Sequence, residues 1–453
     1  MNWQTLFSEA RIGDKDPKRV TTPDRTNFER DFDRVVFSSA FRRLQDKTQV
    51  IPLPESDFVH SRLTHSLEVS CVARSLGKIA GKVIIDRYKL NLHASDFGAV
   101  CATAALAHDI GNPPFGHSGE TSISDYFANG KGKHFAEAIT DENKWADLTN
   151  FEGNANGFKI LTNYNEASGG NINLTYTTLA AFTKYPTRSN KLAEYAALIK
   201  GKVSQKKYGY FQSEAEIFEK LFTHLEIDRL TPYSFFRHPL AYLVEAADDI
   251  CYRIIDFEDG IRIGLIDFRT GEELLKAVLG KDFDQVRYDA VTDEREKISY
   301  LRAKAINTLI NACKEVFLAK EKEICDGRFD SSLVDLLDSA IAAPLKEINK
   351  ISIAKVYRSK NVLQIEAAGF NVVAELLDLF INAVNDHHKF GNDLRKNRPY
   401  SEKVISLLPA QFIQSSQGDL YLRILRVCEF VAGMTDSYAV TLYRRLKGIE
   451  LPK

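Results

Sequence analysis

Apolar residues recur along most of this chain at the three- and four-residue spacing of helix faces. Phe28, Phe32, Val35 and Val36, following the start signal Thr22-Pro23-Asp24, predict one helix, and the pattern runs on from Phe37 to Gln49. Ile51-Pro52-Leu53-Pro54 breaks it. A long helix is expected over 61–88, with Leu67, Val72, Leu76, Ile79, Val83 and Ile84 on its apolar side. Phe97, Val100, Cys101, Ala104, Ala105 and Leu106 predict a buried helix that Gly111, Asn112 and two prolines forbid from continuing. Leu240, Val244, Ala247, Cys251, Ile254 and Ile255 form one buried stripe of a further helix. Helical periodicity returns over 274–279, 298–317, 333–348, 371–384 and 420–446. The expected fold is therefore all-α. Residues 129–175, rich in Gly, Asn and charge, predict either a surface excursion or a loop lining a site, and 202–210 an exposed basic and aromatic loop.

Composition narrows the class. With 453 residues, 44% hydrophobic and 27% charged, the chain is an ordinary globular sequence with room for two or three domains' worth of core or one large helical body. Lys and Arg number 60 against 61 Asp and Glu, a net charge of -1, so no global basic footprint marks nucleic acid as the main partner. The six cysteines lack C-x-x-C spacing and read as reduced core residues of a cytoplasmic protein. The first twenty residues are charged throughout, and nowhere do 18 apolar residues run together, so neither secretion nor a membrane partner is expected.

The chemistry concentrates in His108-Asp109-Ile110-Gly111-Asn112-Pro113-Pro114-Phe115-Gly116-His117-Ser118-Gly119-Glu120. His108 and Asp109 fall at a helix end, where an imidazole and a carboxylate on neighbouring side chains can share one divalent cation. The competing reading makes them helix caps. The stiff turn that follows favours the metal, because it returns His117 and Glu120 to the same place. Three apart on a helix running on through Ile123, Tyr126 and Phe127, those two share a face. A carboxylate paired to an imidazole fixes its tautomer and favours its protonated form, as a general acid requires. Further ligands are offered by His65, on the first turns of the long helix, and by Asp248 or Asp249, adjacent acids deep in an apolar helix where burial without a partner would be costly. Spacing does not choose between them. Asp248, Tyr252 and Asp256 stack along one helix edge, and Lys184-Tyr185-Pro186 either ends a helix or sets an ammonium and a phenol against phosphate.

These residues resemble the HD-domain superfamily of metal-dependent phosphohydrolases, and more closely its deoxyguanosine triphosphate triphosphohydrolase branch. The resemblance rests on Arg42 to Val50, Thr64-His65-Ser66, His108 to Glu120, Phe151-Glu152-Gly153-Asn154-Ala155, Lys184-Tyr185-Pro186 and Glu245 to Ile250, in the branch order. It is firm from about 25 to 260 and continues in weaker form through Tyr357 to Val362, Glu366 and Gly433-Met434-Thr435-Asp436. It implies an N-terminal segment 1–24, an HD-domain helical core over 25–260 with an inserted loop region at about 129–235, and a helical C-terminal region over 261–453 that completes the pocket and makes oligomer contacts.

What the resemblance implies for the site is one ion, Mn²⁺ or Mg²⁺, on His65, His108, Asp109 and Asp248, the family placing the ligand first in the Asp pair. It implies hydrolysis of a deoxynucleoside triphosphate, dGTP or several dNTPs, at the α-phosphorus to deoxynucleoside and inorganic triphosphate. His117 and Glu120 would be catalytic. Arg42, Arg43, Arg62, Lys184 and Tyr185 would hold phosphates, and Gln49, Tyr252 and Asp256 the nucleoside. It also implies ring-like homo-oligomers, often hexamers. The basic clusters Lys389, Arg395, Lys396, Arg398 and Arg444, Arg445, Lys447 read first as solvated faces and second as an effector site for nucleotide or single-stranded DNA. Two other functions compete: an HD hydrolase acting on another phosphoester, and a catalytically silent nucleotide-sensing protein.

Overall fold

The computed structural model describes residues 1–14, 25–49, 60–163, 172–414 and 419–451. The protein is all-α; among the described residues the named strands are Arg229–Thr231 and Ser234–Phe235, an antiparallel pair joined by a two-residue turn. The helices that build the site are α1 (Asn27–Val36), α2 (Arg62–Tyr88), α3 (Ala94–Ala107), α4 (Gly116–Ala128), α5 (Gly153–Thr162), α6 (Pro239–Arg262), α7 (Glu294–Cys325), α8 (Lys360–Phe390), α9 (Leu420–Ala432) and α10 (Asp436–Leu446).

The proposed start signal at 22–24 and the break at 51–54 lie outside the described residues. The cap observed on α1 is Thr26, in a capping box with Glu29 that satisfies two otherwise unpaired backbone donors. The α1 pattern does not continue to Gln49 as expected. The helix stops at Phe37, and Ser38 caps a new four-residue helix, Ser39–Arg42, followed by a tight turn of 3-10 helix, Arg43–Asp46.

α2 and α3 pack against each other over most of their length. The buried side of α2 is its small-residue side, Ala73, Gly77, Ala80 and Gly81 with Val69, Val72, Leu76 and Ile84, whereas Leu67, Ile79 and Val83 are exposed, contrary to the apolar face expected. The reason is close approach: a β-carbon on Gly77 would stand 2.6 Å from the Phe97 carbonyl oxygen, and one on Gly81 2.5 Å from the Phe97 ring. α6 lies across both helices, and its expected stripe, Leu240 to Ile255, is buried. Cys71 is exposed while the other five cysteines are buried, so one of the six is not a core residue.

Two apolar clusters form the interior. One gathers α1, α2, α3, α6 and α7; the other gathers α4, α8, α9 and α10. The stretch after α4 is largely helical, including Glu142–Thr149 and α5, so 129–163 is not the irregular excursion that its Gly and Asn content suggested. The segment 362–397 is apolar and long enough to cross a membrane by composition, yet half of its most apolar 18-residue stretch is buried in the protein, where α8 packs on α4 and α9.

Candidate active site

His108 terminates α3. Its Nδ1 lies 2.6 Å from the Ala105 carbonyl oxygen, an arrangement only an N–H can satisfy, so in the neutral ring the proton resides on Nδ1 and the Nε2 lone pair faces outward. Nε2 then stands 3.6 Å from Asp109 Oδ2 and 3.5 Å from Asp248 Oδ1. His65, buried on the first turn of α2, brings Nε2 to 3.3 Å from the same Asp248 oxygen. A lone pair turned on carboxylate oxygens without an intervening proton is repulsive, and a cation between them removes the repulsion. His65, His108 and Asp109 each place a ligand atom within 4.8 Å of the others. The remaining Asp109 oxygen is held by Asn112 Nδ2 at 2.5 Å, while Oδ2 lies 2.7 Å from Arg62 without forming a hydrogen bond. The donor set therefore fits a divalent ion of mixed nitrogen and oxygen preference.

Burial pushes the Asp109 carboxyl up, but Arg62, His108 and His65 outweigh it and hold it below its ordinary value. Asp248 is likewise lowered despite burial, by His108, His65 and Lys184. Its neighbour Asp249 points elsewhere, accepting from Ser332 Oγ at 2.8 Å, and burial raises it to about 6. The structure thus brings Asp248, not Asp249, to the histidines.

The turn after the pair is built on Phe115 and Gly116, both left-handed at φ 62 and φ 57. It starts α4, which carries His117 and Glu120 on one face. His117 Nδ1 meets Glu120 Oε2 at 2.6 Å, and Glu120 Oε1 accepts from the Gly153 backbone N–H at 2.8 Å. Glu120 is buried, yet His117, Lys207 and the Gly153 amide hold it below the usual carboxylate range. The His117 side chain is 82% exposed, so its Nε2 is free to face a ligand. Gly153 is required here: a β-carbon would lie 2.1 Å from Asn112 Oδ1 and 2.7 Å from Glu120 Oε1.

His108, Asp109 and Asp248, with His65 buried behind them, and the His117–Glu120 pair line one cleft of about 680 Å³, in the range of small-molecule sites. Arg62, Lys184 and Tyr185 line it as expected, and so do Gln49 and Tyr252. Burial lowers the Lys184 ammonium, but Glu245, Tyr185, Asp248 and Asp249 reverse this and keep it charged. Gln49 Oε1 is buried without a hydrogen-bond partner. Asp256 lies behind the wall and accepts from the Tyr357 hydroxyl at 2.9 Å; Tyr357 in turn stacks on Tyr252 with ring centroids 5.3 Å apart. Arg42 and Arg43 are not on this wall. Arg42 is exposed, and Arg43 donates to the Gly433 carbonyl and borders a second cavity of about 410 Å³.

One contributor was not singled out from sequence. Lys207 belongs to the stretch read as an exposed loop, yet it lines the cleft, 3.0 Å from Glu152 and 3.8 Å from Glu120. Its signal was available in the aromatics beside it, since Tyr208 and Tyr210 are buried and anchor the segment. The far wall comes from Ile353 to Glu366 and includes Tyr357, Arg358, Val362 and Glu366 of the weaker motif. No catalytic composition marks that stretch.

Fold and site together define an HD-domain protein: the HD domain model matches residues 62–163, and the phosphohydrolase-associated domain model matches 336–445. The chain belongs to the deoxyguanosinetriphosphate triphosphohydrolase-like family of HD phosphohydrolases. It is 41% identical to a deoxyguanosinetriphosphate triphosphohydrolase-like protein of Synechocystis sp., over 100% of both chains. A protein of the same name from Pseudomonas aeruginosa is 37% identical, again over 100% of both. The deoxyguanosinetriphosphate triphosphohydrolase of Yersinia pestis is 30% identical, over 93% of this chain and 94% of that one.

Proposed function

We propose that this protein hydrolyses deoxynucleoside triphosphates to deoxynucleoside and inorganic triphosphate, using a Mn²⁺ or Mg²⁺ ion held by His65, His108, Asp109 and Asp248. The observation that carries the reading is the convergence in one cleft of His108, Asp109 and Asp248, with His65 buried behind them, the His117–Glu120 pair and four cations, Arg62, Lys184, Lys207 and Arg358. The first three of these cations are each held in place by a carboxylate, Arg62 by Asp109 at 2.7 Å, Lys184 by Glu245 at 3.6 Å and Lys207 by Glu152 at 3.0 Å, and a triphosphate can reach more of them at once than a phosphomonoester can. The bound ion would polarise an α-phosphate oxygen. Arg62, Lys184 and Lys207, with the Tyr185 hydroxyl, hold the phosphate chain. Gln49, with an oxygen buried and unpaired in the free protein, accepts from the sugar, and the Tyr252–Tyr357 stack packs on the nucleoside side. His117, its Nδ1 taken by Glu120, turns Nε2 to the departing 5′-oxygen and supplies its proton, while water attacks the α-phosphorus.

The test is incubation of the protein with each dNTP and Mn²⁺ or Mg²⁺, with and without chelator, with products separated by anion exchange. Deoxynucleoside and triphosphate, abolished by chelator and by Asp109→Ala, are expected. Monophosphate and pyrophosphate would overturn the leaving group. Absence of turnover with single nucleotides and with mixtures would overturn the reading and leave a nucleotide-binding protein in its place.

A further inference from the structure

Asp436 begins the last long helix, more than three hundred residues from the turn between Pro113 and Gly116, and nothing assigned so far uses it. It is 1% exposed, and both of its carboxylate oxygens are engaged. Oδ1 accepts the Phe115 backbone N–H at 3.0 Å. Oδ2 accepts the Thr48 backbone N–H at 3.0 Å and the Thr48 hydroxyl at 2.5 Å. Both partners sit beside cleft residues: Thr48 precedes Gln49, and Phe115 stands two residues before His117.

Phe115 is where the backbone needs such support. It holds a left-handed φ of 62, unfavourable for a residue with a β-carbon, and caps α4 without offering a side-chain acceptor. Neighbouring contacts from the C-terminal region converge on the same place. Lys47 Nζ bridges the Asn112 carbonyl at 2.5 Å and the Ala432 carbonyl at 2.7 Å. Ser118 Oγ donates to the Glu366 carbonyl at 2.9 Å, and α8 runs so near that a β-carbon on Gly369 would stand 2.3 Å from the Phe115 ring.

We propose that Asp436 is a positioning residue: by fixing Phe115 and Thr48 together it sets the direction in which His117 leaves the turn, so that the phosphohydrolase-associated domain aligns the proton donor of the HD domain. The proposal rests on the dNTP reading above for its kinetic test and has an independent structural one.

Asp436→Asn keeps one acceptor and nearly the same shape, Asp436→Ala removes both, and Thr48→Val removes a single bond should the Ala variant fail to fold. Each is made alone and with His117→Ala, and kcat, KM and Mn²⁺ affinity are measured for the dNTP that the native protein turns over. Asp436→Ala is expected to lower kcat about 10- to 100-fold, with KM and Mn²⁺ affinity within about threefold, and to cost less than about threefold when His117 is already Ala, because residues acting through one another are non-additive. Asp436→Asn should fall between Ala and the native protein. Equal losses with and without His117, or loss of Mn²⁺ affinity in step with kcat, would overturn the proposal in favour of a generally structural carboxylate. If the native protein turns over no dNTP, it is the functional reading that fails. Hydrogen exchange then decides on Asp436: faster exchange over 113–118 in Asp436→Asn, with α2 and α3 unchanged, supports the proposal, and unchanged exchange over 113–118 sinks it.

Discussion

At the scale of single residues, one hydrogen bond gives His108 its capacity. Because Nδ1 is committed to the Ala105 carbonyl, Nε2 keeps its lone pair and faces Asp109 and Asp248. Which of the two adjacent acids joins it depends on helix phase, about 100° per residue, and Asp249 is turned to Ser332 instead. Asp248→Asn should therefore weaken Mn²⁺ binding by roughly 100-fold or more, whereas Asp249→Asn should change it by no more than about threefold. Titration calorimetry of the two variants checks this, and comparable losses would mean that the ligand set is misassigned. His117 makes a different demand. His117→Ala should leave Mn²⁺ affinity intact while lowering kcat by about 10² to 10⁴, the usual worth of a positioned proton donor. Full turnover in that variant would remove His117 from the reaction.

At the scale of elements, the periodicity of apolar residues located nearly every long helix, yet it misjudged the face that α2 buries. Large side chains at Leu67, Ile79 and Val83 outweigh glycine and alanine in any hydropathy pattern, but close packing on α3 is decided by what is small. The HD pair, the turn and the His117–Glu120 face were legible because each is local: a helix end, two prolines, a three-residue spacing. Lys207 was not, because its place depends on segments that meet only in the folded chain, and the wall from Ile353 to Glu366 was legible only as a weaker family motif with no local chemistry of its own. The α2–α3 crossing can be tested directly. Alanine in place of a mid-helix glycine stabilises by about 1 kcal/mol through propensity alone. At Gly81 the added carbon would stand 2.5 Å from the Phe97 ring, and overpacking costs about 1–3 kcal/mol, so the net effect should be a loss. At Gly98 the nearest atom, the Arg74 carbonyl oxygen, would be 3.3 Å away, so α2 has to give by only a few tenths of an ångström and the loss should be smaller than at Gly81. Thermal unfolding of Gly81→Ala below the native midpoint and below Gly98→Ala is the expected order; a Gly81→Ala variant as stable as the native protein would refute the account of the crossing.

At the scale of the whole molecule, the N-terminal segment is tied to the helix that carries Asp248 through one buried histidine. His238 caps α6, its Nδ1 accepting from the Leu240 backbone N–H at 3.1 Å, while Nε2 lies 3.2 Å from the Leu6 carbonyl oxygen. Both bonds are satisfied by the neutral ring with its proton on Nε2, and a second proton has no acceptor at Nδ1. Burial lowers this histidine from 6.5 to about 4, against a smaller opposite effect of the Leu6 carbonyl. Between those values the unfolded chain binds a proton that the native protein does not, so stability falls as pH drops from about 6.5 towards 4. The shift is worth on the order of 3 kcal/mol when complete. Many carboxylates titrate over the same range, so the measurement has to be a difference. His238→Asn keeps a side-chain acceptor for the Leu240 amide but cannot take up a proton, and its denaturation midpoint should fall less steeply than that of the native protein between pH 6.5 and 4.5, by up to one proton in the linkage slope. Parallel curves would mean that His238 is already charged in the native protein or equally neutral in the unfolded chain. Because the same residue starts α6, the loss at low pH should appear first as release of residues 1–14 from the body of the protein, visible as faster hydrogen exchange there than in α2 or α3.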